Sequence, residues 1–282
     1  LPGAAPVWHA PVTAAEWLHI CQQARAKVGR LVALWGSDRR EQGHGLCVDM
    51  ALVIRSGLIW LTQTAHDDVY AGVADIFPAA DRMQRAIADM LGILPDPAGD
   101  TRQWLRHSAW PGHEYPLRKE FDLRRPRPVA SQVYPFLTVE GDGVHEIAVG
   151  PVHAGTIEPG HFRFSVVGER ILRLEAHLGY KHKGVEKLFE TMSITEGARL
   201  AGRISGDSTV AYAWAYAMAA ESAAGSTPPE RALWLRALLL ERERMANHLG
   251  DLGALGNDAG LAFGLAQFMR LKEDLLRCNA QV

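Results

Sequence analysis

Four short stretches of this chain group side chains that could do chemistry. His153, Glu158 and His161 lie in GPVHAGTIEPGHF, where glycines and prolines punctuate a loop between strands. A His/Glu loop over a rigid sheet can line a ligand site; it also reads as a polar surface hairpin. In YKHKGVEKLFE, His182 and Glu186 are four residues apart. On a helix they share one face, where a histidine titrating near neutrality and a glutamate raised by burial can relay protons. The other reading is a solvated face of alternating Lys and Glu. In ERERMANH, Glu241, Arg244 and His248 stand at i, i+3 and i+7 beside an apolar stripe. They read as a polar network facing a partner, or as surface ion pairs worth ~0–1 kcal/mol each. RISGDSTVA reads as a turn in which Ser208 or Asp207 caps the following helix. It lacks the Gly-x-Ser-x-Gly elbow of a serine hydrolase.

The elements that must position these residues fall into two groups. Residues 1–125 read as an α/β unit. A helix over 14–30 is capped by Thr13, strands follow at 30–36, 46–55 and 57–64, and 79–91 is an amphipathic helix with Met83, Ile87, Met90 and Leu91 on its apolar face. LPDPAGD at 94–100 reads as a loop. Two prolines and three arginines in RRPRPVAS (124–131) resist regular structure, so 126–135 reads as a linker. Residues 136–282 begin with strands at 145–149, 161–167 and 170–177, which form an antiparallel sheet. Helices then follow at 183–191, 195–204, 209–224, 228–255 and 261–278, with Gly250 as a stop or bend in the long one. The expected class is α+β: an α/β domain, a small antiparallel sheet, then a mainly helical domain. Because the chain begins at Leu1 and ends inside a helical stretch, it reads as part of a longer protein, truncated at its C-terminus.

The totals exclude several functions. A net charge of -2 with scattered arginines argues against nucleic acid. Cys21, Cys47 and Cys278 share no short spacing, so neither a disulfide framework nor a thiolate metal site is expected within this chain. The most apolar run, 210–220, is about half of the ~20 residues a membrane-spanning helix needs.

These pieces, in this order, resemble a known family. RMQRAIADMLGI (82–93) and WPGHEYPLRKEF (110–121) are similar to motifs closing the 30-kilodalton subunit of respiratory complex I. GPVHAGTIEPGHFRF, GYKHKGVEKLFE and LLLERERMANHLGDLGALGND resemble the 49-kilodalton subunit and the large subunits of group 4 nickel–iron hydrogenases. A fusion of both, as in formate-hydrogenlyase-type enzymes, is what the resemblance implies. It further implies that Glu186 is the proton-passing glutamate, with Lys183 in place of the usual arginine, and that His153 is the loop histidine at a quinone pocket. The family's quinone-binding tyrosine falls near Leu200. The cysteines of Arg-x-Cys-Gly-x-Cys, which hold nickel and iron, fall on Ser205 and Ser208. A neutral hydroxyl does not replace a bridging thiolate, so no nickel–iron site is expected.

The resemblance thus implies an oxidoreductase subunit of the NADH:quinone oxidoreductase or hydrogenase type, active only within a complex. It would bind no cofactor of its own and take electrons from an iron–sulfur cluster in a partner small subunit. Its acceptor would be a quinone or an unknown substrate in a pocket near His153, Glu158 and His161, with Glu186 and His182 moving protons. Membrane-arm subunits would be further partners, on the cytoplasmic face of the membrane. A catalytically silent scaffold is the alternative, and an active nickel–iron hydrogenase the third reading.

Overall fold

The computed structural model describes residues 7–127, 133–152 and 159–281. The chain divides into two compact units, Leu1–Lys183 and Gly184–Val282. The break in contacts places the three-stranded sheet with the N-terminal unit, and the linker expected at 126–135 lies partly outside the described residues.

In the first unit, strand β1 (Val7–Pro11) precedes helix α1 (Ala14–Ala26), which opens with a capping box between Thr13 and Glu16. Strands β2 (Arg30–Arg39), β3 (Gly45–Ile54) and β4 (Gly57–Thr64) follow, and the sheet order is β1-β4-β3-β2. β1 is parallel to β4; the other pairs are antiparallel. Alternation along β3 sends Val48, Met50 and Leu52 into the core with Trp17, Cys21, Leu61 and Ile87. Strand β5 (Val69–Ala71), helix α2 (Ala80–Leu91) and strand β6 (Leu94–Asp96) complete this part. β1, β5 and β6 lie outside the expected strands. β6 takes the first residues of the loop expected at 94–100, because pairing with β5 supplies partners that local propensity does not reveal.

The opposite face of β3 carries a buried carboxylate. Asp49 accepts from Ser37 (2.9 Å), Arg39 (2.7 Å), Trp60 Nε1 (2.9 Å) and Thr62 (2.6 Å), so its charge is fully hydrogen-bonded within the sheet.

Strands β7 (Val144–Val152), β8 (Gly160–Val167) and β9 (Arg170–His177) form the expected antiparallel sheet in the order β7-β8-β9. Glu175 on β9 joins it to the rest of the unit, accepting from Arg102 (3.2 Å) and from the Leu137 N–H (3.1 Å). Burial alone would raise this carboxyl, but those two partners outweigh it and hold it below the ordinary range.

The second unit is helical: α3 (Val185–Phe189), α4 (Ile194–Ala201), α5 (Thr209–Ala224), α6 (Glu230–Asp258) and α7 (Ala262–Asn279). α3 is shorter than expected. Gly184, in a left-handed conformation (φ 64°), starts it and leaves His182 in the preceding turn. α6 runs unbroken through Gly250, so the helix does not stop there. Gly250 and Gly253 are buried, and a Cβ at Gly253 would lie 3.1 Å from Met269 Cε. These glycines shape the seam with α7 and do not end the helix. Glu221 on α5 and Arg236 on α6 form a forked ion pair (2.5 and 3.0 Å).

Candidate functional site

A cleft of about 520 Å³ lies within the first unit. The 101–108 loop builds one wall, and helix α2 holds it in place. Arg85 on α2 donates to the carbonyls of Arg102 (2.7 Å) and Gln103 (3.1 Å) and to the Tyr134 hydroxyl (2.7 Å). One turn on, the Asp89 carboxylate accepts the backbone N–H groups of Trp104 (2.7 Å), Leu105 (2.7 Å) and Arg106 (3.3 Å). A carboxylate holding three successive amides fixes this loop tightly. The loop then turns through two residues of left-handed backbone, His107 (φ 42°) and Ser108 (φ 60°). Non-glycine residues in that region concentrate at functional sites.

The opposite wall is aromatic. His177, at the end of β9, is sandwiched between His107 (centroids 4.3 Å apart, 16° between planes) and Tyr134 (4.0 Å, 21°). Tyr180 tilts against His107 at 4.5 Å. Phe136 sits 5.1 Å from His161, which pairs with His177 across the β8–β9 ladder. Arg102 lies over Tyr134 and Arg163 over Phe136, both at cation–π distance. Burial, with His107 and Arg85 adding like charge, pulls His177 down to about 4, so it is neutral at physiological pH. Burial also raises the Tyr180 hydroxyl.

Of the residues expected from sequence at a pocket, His161 lines this cleft; His153 and Glu158 lie outside the described residues. His107, Tyr134 and His177 were not among the expected site residues. Counting back along the β8–β9 hairpin from its turn, past one bulge, sets His161 opposite His177. That register was a usable signal for His177, whereas nothing local marks His107. His182 is half-buried and off the helix; Glu186 is exposed in the first turn of α3. They therefore do not share a helical face. Glu241 and Arg244 form an exposed i, i+3 pair (2.7 Å), and His248 is exposed further along α6.

Ser205 and Ser208 bound a 3₁₀ turn, Gly206–Ser208, in which the Ser208 N–H donates to the Ser205 carbonyl (3.2 Å). Ser208 occupies the N-cap position of α5, but its side chain makes no capping bond. The cap comes from α6: Glu243 accepts the N–H groups of Val210 (2.6 Å) and Ala211 (3.1 Å), while Asn247 donates to the Asp207 carbonyl. Two residues between the expected Glu241, Arg244 and His248 thus hold the turn. The turn offers two serine hydroxyls and the Asp207 carboxylate, hard oxygen groups that do not suit a soft nickel–iron centre. Among the described residues, no group of three or more His, Cys, Asp or Glu could hold a metal ion.

Residues 10–127 match the family described as respiratory-chain NADH dehydrogenase, 30 Kd subunit. The chain is 36% identical to formate hydrogenlyase subunit 5 of Escherichia coli (strain K12) over 88% of its own length and 46% of the relative's. It is 37% identical to hydrogenase-4 component G of the same organism, over 87% and 46%. It is 27% identical to the C/D subunit of the NADH-quinone oxidoreductase of Phocaeicola vulgatus, over 87% and 51%. The chain spans about half the length of the curated relatives it matches. Residues 10–127 thus carry the 30 Kd subunit domain, and the chain is similar to subunits of formate hydrogenlyase, hydrogenase-4 and NADH-quinone oxidoreductase. Among the described residues, no helix is long and apolar enough to cross a membrane.

Proposed function

We propose that this chain is an oxidoreductase subunit of a membrane-associated complex I-like or energy-converting hydrogenase-like assembly. It passes electrons from an iron–sulfur cluster of a partner small subunit to a quinone-like acceptor and couples this to proton movement. Membrane-arm subunits complete the assembly, on the cytoplasmic face of the membrane. The observation that carries the reading is similarity along 88% of the chain to a formate hydrogenlyase subunit. Exposed apolar side chains on α6 and α7 add support: Trp234 and Phe263 are 70% and 72% exposed, as expected of surfaces that other protein covers.

The assembly works without nickel and iron at the 205–208 turn, because Ser205 and Ser208 offer hydroxyls where thiolates would be needed. Glu186 carries protons in the assembled complex. Nickel analysis and coupled turnover of the purified complex test both points. We expect no stoichiometric nickel. Glu186→Gln should assemble normally and lower coupled turnover at least tenfold. Stoichiometric nickel would instead identify an active hydrogenase, and full turnover in Glu186→Gln would remove the relay.

The serine pair also favours a second reading, a scaffold that joins partners without chemistry. Redox turnover by the intact complex, inhibited by a quinone analogue, separates the two.

A further inference from the structure

We propose that the cleft between the 101–108 loop and the β8–β9 strands binds an uncharged flat heterocycle of the purine class, held by its amino or ring N–H groups. This goes beyond the electron-transfer reading and does not rest on it.

The hydrogen bonds of two histidines set the chemistry. His107 Nε2 lies 2.7 Å from the Leu178 carbonyl oxygen, and His161 Nδ1 lies 3.0 Å from that of Gly150. A carbonyl oxygen only accepts, so each of these ring nitrogens carries the proton. In the neutral ring the remaining nitrogen is then a bare lone pair: Nδ1 of His107 and Nε2 of His161. Among the described residues, the buried His161 Nε2 meets no hydrogen-bonding partner, and neither does His177 Nε2. A buried polar atom without a partner calls for an explanation. Here an acceptor without a donor, His161 Nε2, calls for a ligand that donates.

The walls fix its shape and charge. Tyr134, Phe136 and the imidazoles offer flat faces, against which a planar ring stacks. The cleft, about 520 Å³, falls within the range usual for small-molecule sites, roughly 300–1,000 Å³. Among the described residues no carboxylate lines it, and the nearby guanidiniums already have partners, Arg102 with Asp100 and Glu175 and Arg163 with Glu146. A cation would therefore find no counter-charge, and an anion no unpaired one. A quinone offers only carbonyl acceptors and would set lone pair against lone pair, so it is the wrong partner for this cleft.

The backbone is built to place these groups. Gly179 (φ 91°) has no Cβ, and one placed there would lie 3.2 Å from His107 Nε2. The glycine lets the imidazole reach the Leu178 carbonyl. The left-handed conformations of His107 and Ser108 are the strained counterpart on the facing loop.

Equilibrium dialysis of the full chain in its purified assembly against labelled adenine tests the proposal. Saturable binding at one site per chain is expected. His161→Phe keeps a flat ring but loses the acceptor, and should weaken binding at least tenfold with an unchanged melting temperature. If that variant is unstable, 6-dimethylamino-9-methylpurine provides the same test on the unaltered protein. It keeps the ring and has no N–H, and should bind at least tenfold more weakly than adenine. Absence of saturable adenine binding, equal binding of the two purines, or displacement of adenine by stoichiometric p-benzoquinone would overturn the proposal.

Discussion

Glu243 caps a helix to which it does not belong: its carboxylate accepts the Val210 N–H at 2.6 Å, thirty-three residues away in sequence. The N-terminus of α5 has the excess of N–H donors common to every helix start. Ser208 stands where a local cap is expected, yet it leaves the task to α6. The 205–208 turn is therefore positioned by α6 through Glu243 and Asn247.

Glu243→Ala should cost about 1 kcal/mol, the usual loss on removing a cap, because two amides lose their acceptor. Amide hydrogen exchange at Val210 and Ala211 reads this directly. Faster exchange there, with α7 unchanged, is the expected pattern. Unaltered protection would mean that another group caps α5.

Asp89 does comparable work in the first unit, with three backbone amides on one carboxylate. Asp89→Ala should destabilise the chain by about 3 kcal/mol, since each buried unpartnered donor costs on the order of 1 kcal/mol or more. Asp89→Asn keeps one oxygen and should cost less. Thermal unfolding of the two variants checks the order, and equal losses would contradict it.

These two carboxylates show what the sequence made legible. The apolar stripe of α2 was readable from its period, because Ile87, Met90 and Leu91 do face the core. Gln84, Arg85 and Asp89, on what looks like the wet face, are buried as well. Their partners lie outside the helix, the Val73 N–H for Gln84, the 102–106 loop for Arg85 and Asp89, and Tyr134 for Arg85, so no window over the helix could show them. Strands β2 to β4 and β7 to β9 were legible from the sequence, whereas β1 needed β4 as a partner and β5 and β6 needed each other. His161 was legible as a polar residue on a strand. His107 was not, because its place depends on left-handed backbone and a neighbouring glycine. The helical pairing of His182 with Glu186 failed because Gly184 starts the helix between them.

Two glycines should respond in opposite directions to alanine. At Gly36 on β2, a Cβ would lie 2.4 Å from Leu91 Cδ1 and 3.2 Å from Ile87 Cγ2, both in the core. Gly36→Ala should destabilise by ~1–3 kcal/mol through overpacking. At Gly253 the nearest atom is the flexible end of Met269, and alanine gains up to ~1 kcal/mol of helix propensity. Gly253→Ala should be neutral or stabilising. Denaturant midpoints of both variants check this, and a loss at Gly253 as large as at Gly36 would show that the α6–α7 seam has no slack.

The histidine sandwich should make stability depend on pH with a definite sign. Burial and the neighbouring His107 and Arg85 depress His177 to about 4 in the folded chain, against about 6.5 for an unperturbed imidazole. Between those values the unfolded state binds the extra proton, so stability rises with pH across this window. Above about 6.5 the effect is absent; by about 4 it has reached its full size, on the order of 3 kcal/mol. His177→Phe keeps a flat ring between His107 and Tyr134 but cannot take up a proton. Its unfolding free energy should therefore fall less steeply on acidification from pH 6.5 to pH 4 than that of the unaltered chain. Denaturant unfolding at a series of pH values measures both slopes, and parallel curves would show that the acid sensitivity arises elsewhere.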